Sequence, residues 1–160
     1  MAAGEDLRFD NGDETPERLR HQLSRLLGMT AVQVRKVAAD ALGAVGAHKD
    51  DVVVLAALAE LGPASQATLS ARTRVFESDL VAVLNRLAAG GWVHRAPDPT
   101  DRRRNVITVT EAGRRRLAEL DDVLAEVNDR VMGPLDAAER TQLFALLGRV
   151  NAHLAASGDA

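Results

Sequence analysis

The stretch HRAPDPTDRRRNVITVTEAGRRR, His94 to Arg116, places two clusters of three arginines on either side of a short alternating segment, with two prolines just upstream. In NVITVT, Val106 and Thr108 fall on one side of a strand and Ile107 and Val109 on the other; WVHR, from Trp92, supplies a partner strand. A Pro- and Arg-rich loop from Ala96 to Arg104 joins them, so the segment reads as a β-hairpin with a basic tip. The prolines fix backbone angles on the ascending arm, so less freedom is lost when the tip docks. A charge run alone is usually a solvated face. The residues around this one give it a different meaning.

Immediately upstream, Ser65 starts a short helix, SQATLSART, with Ala67, Leu69 and Ala71 as its apolar positions. A turn at about Arg74-Val75 leads into ESDLVAVLNRLAAGG, where Leu80, Val83, Leu84 and Leu87 form a core stripe. That spacing leaves Ser78, Asp79, Val81, Ala82, Asn85 and Arg86 at or near the opposite face, and Gly90-Gly91 ends the helix. Two helices meeting at a tight turn, followed by a two-stranded arm, insert one helix into the DNA major groove while the hairpin reaches over the backbone toward the minor groove. A loop tip carries guanidinium groups out to where a narrow minor groove attracts them.

Farther out lie long helices. Residues 1–14 are polar, acidic and aperiodic and read as a disordered tail; Thr15-Pro16 then offers a helix start. Leu19, Leu23, Leu26, Leu27, Val34, Val37, Ala41 and Leu42 predict one long helix ending near Gly43 to Gly46, with Gly28 as a weak point. Asp50 is expected to cap the next helix, whose run VVVLAALAEL ends at Gly62-Pro63. Downstream of the hairpin, Thr110 is a candidate cap for a helix bearing Leu117, Leu120, Leu124, Val127 and Val131, closed by Gly133-Pro134. Asp136 and Glu139 form a capping-box-like start for a last helix with Leu143, Leu146, Leu147, Val150 and Leu154 on one face; residues 155–160 read as a frayed tail. The expected fold is therefore mainly α with a small β-hairpin wing: a single domain over 15–154, with a helix-turn-helix and wing lobe at 50–110 and long helices at 15–46 and 111–154.

A chain of 160 residues with 46% apolar composition suits one well-buried domain. Its net charge of −3 hides a division: Ser65 to Arg116 holds ten Arg against five acids, and the remainder ten basic groups against eighteen acidic ones. No apolar run approaches the length of a membrane span, and the first residues lack the pattern of a signal peptide, so the expected location is cytoplasmic. With no cysteine, disulfides, thiolate zinc sites and thiol-based sensing are excluded. The four histidines are not spaced as a metal pair, no Ser-His-Asp order or phosphate loop is visible, and neither an enzyme nor a cofactor is expected. Trp92, at the root of the first strand, reads as the anchor of the wing against the helices.

The residues DPTDRRRNVITVTEAG resemble the wing signature of the MarR family (multiple-antibiotic-resistance-type regulators), dimeric winged-helix transcription factors. The shared elements are Asp101-x-Arg103 followed by strand, Thr110 and Gly113; the fit of helix order extends from Thr15 to Leu154. The resemblance implies that Arg103 enters or approaches the minor groove, that Asp101 orients an arginine, and that Arg102 and Arg104 contact phosphate. It implies that Ser78, Val81, Ala82, Asn85 and Arg86 face the groove or its rim; Ser65 and Gln66, at the start of the first helix of the pair, are assigned to the same contact set. It further implies a homodimer whose outer helices interleave, an operator that is an inverted repeat with half-sites about one helical turn (~10 bp) apart, and a pocket for a small aromatic or lipophilic effector. The chain departs from the family in having Val81 and Ala82 where a polar or basic reader is common, and Glu77 and Asp79 at the helix start. Those acids favour the helix dipole but repel phosphate, so a protein-interaction or ligand-binding module that has lost DNA binding stands as the alternative.

Overall fold

The computed structural model describes residues 16–98 and 105–157, and the chain forms two compact units, one up to Leu124 and one from Ala125. The first contains α1 (Glu17–Arg20), α2 (Leu23–Ala44), α3 (Lys49–Leu61), β1 (Ala64–Ser65), α4 (Gln66–Thr73), α5 (Glu77–Ala89), β2 (Val93–Pro97), β3 (Asn105–Val109) and the start of α6 (Glu111–Val131). The second contains the rest of α6 and α7 (Ala137–Ser157).

The core of the first unit is built from stripes. Leu80, Val83, Leu84 and Leu87 of α5 are all buried, as are Val54, Leu55 and Leu58 of α3 and Leu69 of α4. Ile107 and Val109 of β3 point into this cluster, whereas Thr108 is exposed, so the strand's alternation sorts one face to the core. Leu120 of α6 closes the cluster, and Leu117 and Leu124 pack against it. The three strands form an antiparallel sheet in the order β1-β3-β2, with Val93 opposite Val109 and Pro97 opposite Asn105. Because β2 is an edge, Pro97 costs no ladder hydrogen bond there. The arm thus runs through Ala96 and Pro97, two residues beyond Arg95, where the strand was expected to end. Strand β1 was not expected; its two residues, Ala64 opposite Ile107 and Ser65 opposite Val106, are too few to show a period.

Three boundaries differ from the sequence expectation. The single helix expected from Thr15-Pro16 is broken: Pro16 is the N-cap of the four-residue α1, and Gln22 is extended before α2 begins. No proline or glycine marks the break, but a four-residue helix that buries little has few packing contacts to hold it in line. The cap of α3 is not Asp50: His48 is the N-cap, and its amide donates to Oδ2 of Asp51 at 2.9 Å. Helix α7 continues through Ala155 and Ala156 to Ser157, whose Oγ donates to the His153 carbonyl, so the last turn is helical where fraying was expected. The Asp136–Glu139 capping box is present, with reciprocal bonds of 2.8 and 2.9 Å, and Arg140 adds an ion pair to Asp129 at 2.7 Å. The expected tails at 1–14 and 158–160 lie outside the described residues, as does Thr15.

One close approach locks the arm to α6. Thr110 caps that helix by accepting from the Gly113 amide at 3.0 Å, and its own hydroxyl donates to the Gly91 carbonyl at 2.7 Å. Gly91 turns the chain at φ +70°, a conformation that favours glycine. A Cβ on Gly113 would lie 2.0 Å from the Trp92 carbonyl oxygen. Gly113→Ala is therefore expected to lower stability by about 3 kcal/mol, the upper end for overpacking, because the obstacle is backbone. Urea unfolding measures this; a loss under about 0.5 kcal/mol, typical of a neutral surface change, would contradict the close approach.

Candidate nucleic-acid interface

The helix pair is joined at a turn that the chain holds by local bonds. Arg74 adopts φ +57°, a left-handed conformation unusual for a non-glycine residue, while the Ser70 hydroxyl donates to the Val75 carbonyl at 2.7 Å. Ser65 caps α4: its Oγ accepts from the Thr68 amide at 3.2 Å and lies 2.9 Å from the Thr68 hydroxyl. Ser65 and Gln66 thus stand half-buried at the helix start, in a cleft of about 460 Å³ that also takes in Thr68, Leu84, Arg95 and Asn105.

The five positions assigned to the outer face of α5, Ser78, Val81, Ala82, Asn85 and Arg86, are all exposed, so the structure brings them to one helix surface. They are not equivalent. Val81 is an apolar residue 45% exposed, and the Ser78 hydroxyl donates to Asp79 at 3.4 Å. Asn85 accepts a hydrogen bond at Oδ1 from Nη2 of Arg95, at 3.0 Å. Arg86 is directed across to α3, where its Nη2 donates to Oδ1 of Asp51 at 2.7 Å. Asp51 is 2% exposed, and its two oxygens serve two partners, the His48 amide and Arg86. Arg86 therefore ties the face of α5 to the start of α3.

Trp92 lies half-buried against the core at the root of β2, with the Arg116 guanidinium 5.1 Å from its ring centroid. Arg116 also donates to Glu119 at 3.0 Å and to the carbonyl of Val45 at the end of α2. Asp101, Arg102, Arg103 and Arg104 lie outside the described residues. Sequence reasoning missed Asp51, Arg95, Asn105 and Arg116. Arg95 left a usable signal, since period-two alternation puts it on the same strand face as buried Val93 and hence toward α5. The partnership of Asp51 with Arg86 spans 35 residues and left none.

A second cavity, of about 620 Å³, opens on the other flank of α5. Ala38, Ala39 and Gly43 of α2, Ala47, and Ala82 and Val83 of α5 give it small apolar walls; Arg35, His48, Lys49, Asp50, Asp79 and Arg86 set charges around it. Among the described residues no cluster of three or more His, Asp or Glu is placed to hold a metal, and no helix is long and apolar enough to cross a membrane.

A helix pair with a capped turn, an exposed second helix and a two-stranded arm define a winged helix-turn-helix. Residues 51–104 match the profile of the MarR family. The chain is 30% identical over 133 residues to the uncharacterized HTH-type transcriptional regulator YcgE of Bacillus subtilis, a match covering 83% of this chain and 84% of that one. It is 35% identical over 98 residues to the HTH-type transcriptional repressor NicR of Pseudomonas putida, covering 61% of this chain and 62% of NicR. Among solved structures, BpsR of Bordetella bronchiseptica, determined in connection with regulation of its DNA binding by 6-hydroxynicotinic acid, is similar with a TM-score of 0.70 and 24% identity over 86% of this chain and 98% of that one. The chain belongs to the MarR family of winged-helix transcriptional regulators.

Asp51→Ala is expected to cost about 2 to 3 kcal/mol. That is at or below the low end for breaking a buried pair because the Arg86 side chain is 40% exposed and recovers water. Denaturant titration of the variant checks it; an unchanged midpoint would show that the pair contributes nothing.

Proposed function

We propose that the protein is a homodimeric regulator that binds double-stranded DNA at an inverted repeat and acts as a repressor released by a small molecule. The observation that carries this reading is the solvent-facing surface of α5, Ser78 to Arg86, set between the Ser65-capped start of α4 and a β-arm whose loop holds Arg102, Arg103 and Arg104. On this reading α5 enters the major groove, Arg103 reaches the minor groove, Arg102 and Arg104 contact phosphate, and Asp101 orients them. The concentration of ten arginines between Ser65 and Arg116 supports it, since phosphate neutralisation supplies most non-specific affinity. The names of YcgE and NicR, and the DNA binding of BpsR, support it from outside. It is a cytoplasmic binding protein without a cofactor, and not an enzyme.

The two-fold partner covers α7. Phe144 and Leu154 are 61% and 62% exposed, and Leu143, Leu146, Leu147 and Val150 share the uncovered surface, an apolar extent unusual for a monomer. The helices at 15–46 and 111–154 hold the two copies at half-sites about one helical turn (~10 bp) apart. The effector occupies the cavity beside α2 and α5, whose alanine-rich wall fits a small aromatic or lipophilic molecule and whose mixed-charge rim, with Arg35, Lys49 and Arg86 against Asp50 and Asp79, can take an acidic group on it. Because Ala82 and Arg86 belong both to that wall and to the helix assigned to the groove, occupancy and DNA affinity are linked.

The alternative, a winged-helix interaction module without DNA binding, draws on Glu77 and Asp79 in the first turn of α5 and on the engagement of Arg86 by Asp51. Retention on random duplex in dilute salt separates the two. If DNA is the partner, Arg103→Ala weakens binding to every duplex by a similar factor and lowers the slope of log affinity against log salt by about 1. An unchanged slope and affinity would remove the wing from the interface. Leu147→Glu is expected to shift the protein toward monomer in sedimentation and to lose tight binding to an inverted repeat; an intact dimer would move the interface elsewhere.

A further inference from the structure

Asn85 is an exposed amide on the helix assigned to the groove, and such an amide reads adenine by using both ends, Oδ1 accepting from N6 and Nδ2 donating to N7. Here one end is already engaged. Arg95, on β2, holds Oδ1 through Nη2 at 3.0 Å. A guanidinium has donors and no acceptor, so the atom facing it must be the amide oxygen. The partner's chemistry therefore fixes the orientation of the amide: oxygen toward the arm, NH₂ away from Arg95. Both residues are exposed; one of the two Oδ1 lone pairs is taken, and the free N–H groups of Nδ2 and of the guanidinium outnumber the single acceptor lone pair left to the pair.

We infer that Arg95 is a positioning residue that turns the Asn85 oxygen toward the arm and leaves Nδ2 as the leading reader, so that this pair selects guanine over adenine at one position of each half-site. Guanine presents two acceptors, N7 and O6, to the major groove, whereas adenine presents N7 beside its own N6 donor, which meets the Asn85 NH₂ donor to donor. The inference rests on the proposed DNA-binding function. It goes beyond it by naming the base chemistry read at Asn85 and the strand residue that sets it.

The test uses the full-length protein and a duplex library randomised in sequence, with retained DNA sequenced for the parent, Asn85→Ala and Arg95→Leu. The parent is expected to enrich guanine over adenine about tenfold at one position per half-site. Asn85→Ala flattens that position alone. Arg95→Leu releases Oδ1 and moves the same position toward adenine while the other positions hold. Arg95 is exposed, so the substitution leaves the core untouched, and a thermal melt matching the parent accompanies the measurement. The inference is overturned if Arg95→Leu weakens retention uniformly with the same preferences, which would make Arg95 a phosphate contact, or if the Asn85-dependent position prefers adenine in the parent. Both of those results occur with duplex binding intact. Absence of any duplex retention by the parent in dilute salt overturns the proposed function itself and the inference with it.

Discussion

Between the root of β2 and the first turn of α6 there is no room for a methyl group. The Trp92 carbonyl occupies the space a Gly113 side chain would need, and Thr110 bonds both the Gly91 carbonyl and the Gly113 amide. The arm therefore leaves the body at an angle set by hard contact. Trp92 is held from the other side by the core and by Arg116, which reaches on to the end of α2. Helix α5 ends in the same place, at Gly90, whose Cβ would meet the Trp92 ring at 2.7 Å. Arm, outward-facing helix and long helix thus share one junction, and the direction of each constrains the others. Loss of one methyl's worth of clearance would be felt by all three, because packed interiors shift as blocks and do not yield atom by atom.

Charge is arranged with the same economy. The chain is acidic overall, yet the segment from Ser65 to Arg116 is basic, and two of its acids serve the helix that they start. Glu77 and Asp79 sit in the first turn of α5, where the helix dipole favours them by about 0.3 to 1 kcal/mol each. Asp51, buried, is tolerable only because the His48 amide and Arg86 satisfy it. The cost is that Arg86 is less available to a ligand outside. Under the proposed function, attraction of phosphate then depends on Arg95 and on the arginines between β2 and β3 in sequence more than on α5 itself.

These arrangements also explain what could be read from the sequence. The stripe of Leu80, Val83, Leu84 and Leu87 and its exposed complement were legible because a helix converts spacing directly into facing. Ile107 and Val109 were legible for the corresponding reason in a strand, and Asp136 with Glu139 because a capping box is local. The break before α2 was not, since nothing in the residue types at His21-Gln22 forbids a helix. The expectation that Asp50 caps α3 missed the His48 cap and its amide's bond to Asp51, because the burial that fixes Asp51 there is a tertiary property. The ties from Arg86 to Asp51 and from Arg95 to Asn85, and the cavity beside α2, arise where distant segments meet. Local pattern carries no information about them.

The position of that cavity limits how an effector can act under the proposed function. A ligand changes DNA affinity only by binding the two states of the protein unequally, and couplings of this kind are typically about 1 to 3 kcal/mol. A molecule that fills the alanine-lined wall and bonds the free side of Arg86 supports α5 where it already stands, and the Asp51 pair is kept. A molecule that draws Arg86 away from Asp51 leaves a buried carboxylate with the His48 amide alone, a loss of the same order as the whole coupling. An acidic effector can therefore release DNA only if its own contacts with Arg35, Lys49 or Arg86 replace what Asp51 gives up, and in doing so it must rotate or shift α5 relative to α3. The helix offers one route for this: its inner stripe is apolar and can slide, whereas the Arg86–Asp51 tie to α3 is directional.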